Sequence, residues 1–199
     1  MTTSCTLKTY LMKLNREGKS RILSSTELDI LITYLPTNKH KLIAETCRRT
    51  AGRISEVCQL KYENVTRDSL FFPKGICKGK LKARNVPVSE DYLVKLHQFK
   101  EECAEAGEEI SLDSFIFKGR NGSITTRAFQ KQLDRAVKAT NLLGFSSHGF
   151  RRTSLSSASD ANIPIRHIAE VSGHSSMAVL QGYLSVNEDQ LKKAVSVFA

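Results

Sequence analysis

Hydrophobic positions along the chain keep two different rhythms. Leu28, Leu31, Ile32 and Leu35 recur at i, i+3, i+4 and i+7, which is one face of a helix. Ser24 and Glu27 ahead of them form a capping-box pattern, and Pro36 marks a stop. A second helix is predicted from about 39 to 51, with Gly52 ending it. A third starts near Arg53, with Ile54, Val57 and Cys58 on one side. The rhythm then shortens. Residues 69–73 and 85–88 read as short strands, with Pro87 pointing to an edge. The Gly- and Lys-rich stretch 74–84 between them predicts a small antiparallel sheet with a basic hairpin. Helical spacing returns from 90 to about 106, from about 126 to 140, and from 146 or 147 to 160. A short helix capped by Asn162 follows, with Pro164 in its first turn and Gly173 at its end. Two more short helices fit 175–183 and 187–198. The pattern predicts an α+β domain, mostly helical, over 23–199. Residues 1–22 are polar and basic and read as an arm or linker remnant.

Composition narrows the class. Of 199 residues, 40% are hydrophobic, enough for a sizeable core. No apolar run reaches the roughly 18 residues that span a bilayer, and the first ten residues lack a signal-peptide core. The expectation is a soluble, cytoplasmic protein. Thirty Lys and Arg against 20 Asp and Glu give a net charge of +10. Such a charge favours a polyanionic partner, nucleic acid first, without separating a DNA enzyme from a passive binder. The acidic run Glu101, Glu102, Glu105, Glu108 and Glu109 reads as a solvated face. Cys5, Cys47, Cys58, Cys77 and Cys103 are odd in number and widely spaced, against a disulfide framework or zinc knuckle. Nothing among the histidines has metal-ligand spacing, so neither metal nor cofactor is expected.

Three polar patterns remain, each weak by itself. Arg53 and Glu56 share a helix face at i, i+3, and a surface salt bridge explains that pair alone. His148 and Arg151 stand at the same spacing in His148-Gly149-Phe150-Arg151. Gly173-His174 is followed by Tyr183, which alone reads as an aromatic plug at a helix end.

Taken in order, Arg-x-x-Glu, a Lys-rich hairpin, His-x-x-Arg, Gly-His and Tyr resemble the catalytic domain of the tyrosine recombinase (phage integrase) family, from about Ser24 onward. Thr50-Ala51-Gly52-Arg53-Ile54-Ser55-Glu56-Val57 is similar to the family's first arginine box. His148, Arg151, His174 and Tyr183 match its second. The resemblance implies DNA cleavage and rejoining by a tyrosine nucleophile, with no metal or ATP. It makes Arg53, Lys78, His148, Arg151, His174 and Tyr183 the catalytic residues, with Glu56 orienting the site from behind. Lys78 aligns best with the family's hairpin lysine, with Lys80 as second choice. Lys74, Lys80, Lys82, Arg84 and Arg152 become DNA contacts. Arg152 stands where a His is common. The resemblance also implies double-stranded DNA at a specific recombination site as the partner and self-association as a tetramer. Members usually carry a further N-terminal helical domain, which the residues before Ser24 do not supply.

The residue types suit that chemistry. Attack on a phosphodiester adds a second negative charge to the transition state. Guanidiniums grip non-bridging oxygens in bidentate fashion and stay charged. His174 would donate a hydrogen bond to the same oxygens. A phenol with a pKa of about 10 costs roughly 4 kcal/mol to ionise at pH 7. His148 is the expected base, and Lys78 the expected donor to the leaving 5′-oxygen. A type IB topoisomerase-like relaxing activity and a non-catalytic DNA-binding relative remain alternatives.

Overall fold

The computed structural model describes residues 18–77, 79, 82–183, 191–192 and 195–196. Helix α1 (Ser25–Thr33) begins at a complete capping box: the Glu27 N–H donates to Ser24 Oγ, and the Ser24 N–H donates to the Glu27 carboxylate at 2.8 Å. Helix α2 (Asn38–Thr50) is capped by Thr37. It ends one residue earlier than Gly52 suggests, because Ala51 takes the left-handed conformation with φ 48°. Gly52 is needed for space instead. A Cβ there would lie 2.9 Å from Thr50 Oγ1 and 3.0 Å from Val57. The chain thereby turns straight into α3 (Ile54–Val57), a single helical turn.

Strands β1 (Ser69–Phe72) and β2 (Arg84–Pro87) pair antiparallel, with Leu70 opposite Val86 and Phe72 opposite Arg84. Their connection is the predicted basic hairpin, of which Lys78, Lys80 and Leu81 lie outside the described residues. Helix α4 (Glu90–Glu105) buries Tyr92, Leu96 and Phe99 and leaves Glu101, Glu102 and Glu105 exposed. A small hairpin, β3 (Lys118–Gly119) and β4 (Gly122–Ser123), was not foreseen; two-residue strands are too short to show an alternating pattern.

Helix α5 (Thr126–Ala139) is capped by Thr125, and α6 (Ser147–Asp160) follows. Helix α7 (Ile165–Ser172) starts after Pro164, not at Asn162, whose φ of 58° belongs to the preceding turn. Helix α8 (Met177–Gln181) is the predicted 175–183 element, shortened. Of the helix expected over 187–198, Leu191, Lys192, Val195 and Ser196 are helical, and the rest lies outside the described residues.

Two apolar clusters organise the helices. The larger gathers α1, α2, the β1–β2 sheet, α4 and α5 around Ile43, Leu70, Phe72, Phe129 and Phe150, all 0% exposed. Each such side chain contributes about 1.5–3 kcal/mol by leaving water. The smaller joins Ala51, Leu155, Ile168, Ala169 and Leu180, with Tyr183 packed against it. The segment carrying His174 and Tyr183 therefore rests on its own small core. It reaches the main body where α7 packs on α6 and on β2.

The last residues of the expected arm are fixed to the domain. Lys19 donates to the Gly182 carbonyl at 3.0 Å, and the Ser146 N–H donates to Ser20 Oγ at 3.0 Å. The Arg21 N–H donates to the Gly144 carbonyl at 2.9 Å, and Arg152 donates to the Ser20 carbonyl. Residues 18–22 thus form a strap, and the rest of 1–22 lies outside the described residues. Among the described residues no helix is long and apolar enough to cross a membrane.

Candidate active site

The site is built on helix ends. Arg151, on α6, is 1% exposed. Burying a guanidinium is costly unless its donors are satisfied. Here Nη1 donates to the Ala51 carbonyl at 2.6 Å and Nη2 to the Ser172 carbonyl at 2.8 Å. These carbonyls stand at the C-termini of α2 and α7, where helix backbone leaves acceptors unpaired and partial negative charge accumulates. Both helices end in left-handed residues, Ala51 and Gly173. The two turns aim the carbonyls at one point. Burial, and then the nearby Arg53, push the Arg151 guanidinium down to about 10, so it stays charged at neutral pH.

Arg53 occupies the N-cap position of α3, with its side chain 20% exposed. Glu56, three residues on, is 0% exposed and serves two cations. One oxygen accepts from Arg53 Nη1 at 3.0 Å; the other accepts from Arg84 Nη2 at 2.5 Å and from the Arg53 N–H at 3.3 Å. Burial alone would raise the Glu56 carboxyl, but Arg84 and Arg53 together hold it below its ordinary value. The carboxylate is therefore the internal counterion of the site.

Arg84 departs from the expected DNA contact. It is 8% exposed, its guanidinium lies 4.2 Å over the Phe72 ring, and it also donates to Cys77 Sγ at 3.4 Å. Strand alternation explains this: Arg84 and Val86 share the inward face of β2, so its charge is turned to Glu56.

His174 follows Gly173, whose left-handed backbone folds the chain back over the end of α7. The N–H groups of both residues donate to the Ala169 carbonyl, at 2.8 and 3.1 Å. The His174 imidazole meets Ser172 Oγ through Nδ1 at 2.7 Å. Arg151 Nη2 is 3.1 Å from one ring nitrogen and 3.3 Å from the other. Near-equal distances to both place it over the ring face, not in line with either lone pair, so we read this as a stacked contact rather than two hydrogen bonds. Burial first, then Arg151, Arg53 and Arg84, push the imidazole down to about 4. The Tyr183 ring lies 5.2 Å away, tilted by 55°.

His148 stands in the first turn of α6, exposed, and lines with Tyr183 and Arg53 an open cleft of about 1220 Å³. Arg152 is half-buried and occupied by the strap. Lys74 is exposed, and Lys82 pairs on the surface with Glu170 at 2.8 Å. The structure thus brings Arg53, Glu56, Arg84, Arg151, His174 and Tyr183 together, with His148 lining the same cleft as Arg53 and Tyr183. Lys78 and Lys80 are outside the described residues.

One set of residues escaped the sequence reading. Arg127, Lys131, Arg135 and Lys138 lie along one exposed face of α5 and line the same cleft. Their i, i+4, i+8, i+11 spacing was legible, but only as the polar complement of the apolar face of Phe129, Leu133 and Val137.

This constellation sits on a fold shared with known proteins. The chain belongs to the phage integrase family, whose model matches residues 21–190. It is 29% identical over 154 residues to the tyrosine recombinase XerC of Corynebacterium glutamicum, covering 76% of this chain and 48% of that protein. It is 30% identical over 158 residues to XerC of Xanthomonas axonopodis pv. citri, covering 78% and 49%. The chain spans about half the length of these curated relatives. Among solved structures, the XerA recombinase superposes with a TM-score of 0.74 at 21% identity, over 92% of this chain and 66% of that one. XerH in a pre-cleavage complex with its difH substrate gives 0.72 at 17%, over 94% and 56%. The catalytic domain of bacteriophage HP1 integrase gives 0.61 at 19%, over 83% and 87%. At these identities the likeness establishes the fold.

Proposed function

We propose that this chain is the catalytic domain of a site-specific DNA recombinase, acting in the cytoplasm, that cleaves and rejoins strands through a 3′-phosphotyrosyl intermediate. The observation that carries the reading is a charge balance. Among the described residues Arg53, Arg84 and Arg151 share the buried carboxylate of Glu56, and the nearby Glu170 is paired with Lys82, so the three guanidiniums exceed their buried counterion by two charges. A phosphodiester under attack by an oxygen nucleophile carries two negative charges. Fixed cations in a shielded pocket stabilise that state with little reorganisation.

The Tyr183 oxygen attacks phosphorus as its O–H proton passes to an imidazole, for which His148 and His174 are the candidates. The bond from phosphorus to the 5′-oxygen breaks, and Lys78 protonates the departing oxygen. The phosphotyrosyl bond keeps the energy of the broken linkage, so a 5′-hydroxyl reverses the sequence without ATP. The guanidiniums supply the positive charge that a metal ion provides in two-metal nucleases. The basic face of α5 would take the duplex backbone across the cleft, with Lys74, Lys80 and Lys82 adding phosphate contacts from the hairpin.

Self-association as a tetramer on DNA belongs to the same reading. A groove of about 480 Å³ opens between α1, α2, α6 and α7, lined by Leu28, Leu155, Ile163 and Val171. The helical Leu191 and Val195 are exposed and apolar, suited to such a groove in a neighbouring copy.

Nicked suicide-substrate DNA in EDTA tests the proposal. The wild-type chain should form a covalent adduct, and Tyr183→Phe should form none while retaining DNA binding. An adduct from the Phe variant, or a requirement for Mg²⁺, would overturn the mechanism. Exchange between defined sites, against sequence-indifferent relaxation of plasmid, separates a recombinase from a topoisomerase-like enzyme.

A further inference from the structure

Ser172, the last residue of α7, is 0% exposed and touches both halves of the site. Its carbonyl holds Arg151 at 2.8 Å, and its hydroxyl meets His174 Nδ1 at 2.7 Å. The same hydroxyl lies 2.6 Å from the Ile168 carbonyl. A carbonyl only accepts, and a serine hydroxyl has one proton. That proton therefore goes to Ile168, in the back-bond that a helical serine makes to the residue four earlier. Ser172 Oγ is then left with lone pairs facing the imidazole, so the short contact to His174 requires a proton on Nδ1. Arg151 cannot reverse this, since its Nη2 stands over the ring face and engages neither nitrogen in line.

We propose that Ser172 is a positioning residue that fixes the tautomer of His174, keeping the proton on Nδ1 and presenting Nε2 to the site as an acceptor. Arg151, Arg53 and Arg84 around the ring disfavour a second proton in the free protein and Glu56 favours it, while among the described residues Tyr183 packs against the ring and Cys77, Lys82 and Glu170 line the same pocket.

This revises the role that the sequence suggested for His174. A neutral imidazole locked in this form has no N–H to offer a phosphoryl oxygen. It gains one only by taking up a proton, and resting on the recombinase reading, the Tyr183 phenol is the source. The phenol O–H breaks as Nε2–H forms. The imidazolium then donates to a non-bridging oxygen while the phenolate oxygen bonds to phosphorus, the bond from phosphorus to the 5′-oxygen breaks and the departing oxygen takes its proton from the hairpin lysine. When the strand is rejoined, the proton returns to the tyrosine oxygen as its bond to phosphorus breaks.

Nitrogen-15 NMR of histidine-labelled protein near pH 7 reads the tautomer directly, without DNA. The expected result is protonated Nδ1 and bare Nε2 for His174; protonated Nε2 would overturn the proposal. Ser172→Ala should lose the single tautomer, as should Ser172→Cys, which keeps the volume with a poor acceptor. A tautomer unchanged in both folded variants would also overturn it. On suicide-substrate DNA, both variants should form adduct about 10- to 100-fold more slowly at unchanged DNA affinity, less than the ~10⁴-fold upper range of acid–base assistance. If the wild-type chain shows the expected tautomer yet forms no adduct, the recombinase reading fails and the assignment of Ser172 stands.

Discussion

Glu56 and Arg84 form a buried ion pair at 2.5 Å, with side chains 0% and 6% exposed, linking α3 to the strand that closes the basic hairpin. Its partner Arg53 shares the same carboxylate, so one acid holds two guanidiniums in register. A buried pair of this kind adds little by itself, but removing one member strands the other.

Glu56→Gln should therefore destabilise the domain by about 3–5 kcal/mol, read as a lower urea midpoint, because three neighbouring cations lose their counterion. Combining Glu56→Leu with Arg84→Met should recover much of that loss. A double variant as unstable as the single one would show that the pair is not the source.

Acid should unfold the protein in a defined window. The unfolded chain protonates His174 near 6.5, whereas the folded protein resists until about 4. Stability is therefore retained above 6.5 and lost as pH falls between these values. The depressed Glu56 carboxyl adds loss in the same direction, beginning below its ordinary 4.5. His174→Gln should flatten the upper part of the limb in urea titrations from pH 7 to 4 and leave the lower part.

Gly149 sits between His148 and Phe150 with no room for a methyl group. A Cβ there would approach the Phe145 ring to 2.4 Å and Ser20 Oγ to 2.7 Å. Gly149→Ala should cost about 1–3 kcal/mol through overpacking, measured by thermal or urea melts. It should also loosen the strap at Ser20, seen as faster amide exchange at Ser146.

Lys131→Ala and Arg135→Ala, on the open face of α5, should each weaken DNA binding across all sequences. Each should also reduce the slope of log affinity against log salt by about 1. Arg84→Ala should act on the fold first, lowering the urea midpoint because it strands the buried Glu56 carboxylate.

Much of this architecture was legible in local chemistry. The Ser24–Glu27 box, the i, i+3, i+4, i+7 spacing of α1 and the two short strand runs flanking the Gly- and Lys-rich stretch each name their element without tertiary information. What escaped depended on space. Ala51 takes the left-handed turn that ends α2, and the tight approach of Thr50 and Val57 reserves the next position for glycine. The charge of Arg84 suggested an exposed DNA contact, yet its register with Val86 had already turned it inward. The hydroxyl of Ser172 became meaningful only once the turn at Gly173 had folded His174 back upon it.

The strap has a geometric consequence. Lys19 is bonded to the carbonyl adjacent to Tyr183, while Arg152 grips the next strap residue from the helix that carries Arg151 and His148. Whatever is joined ahead of Gly18 therefore enters the domain beside the turn that bears Tyr183, so the two segments share one corner of the molecule.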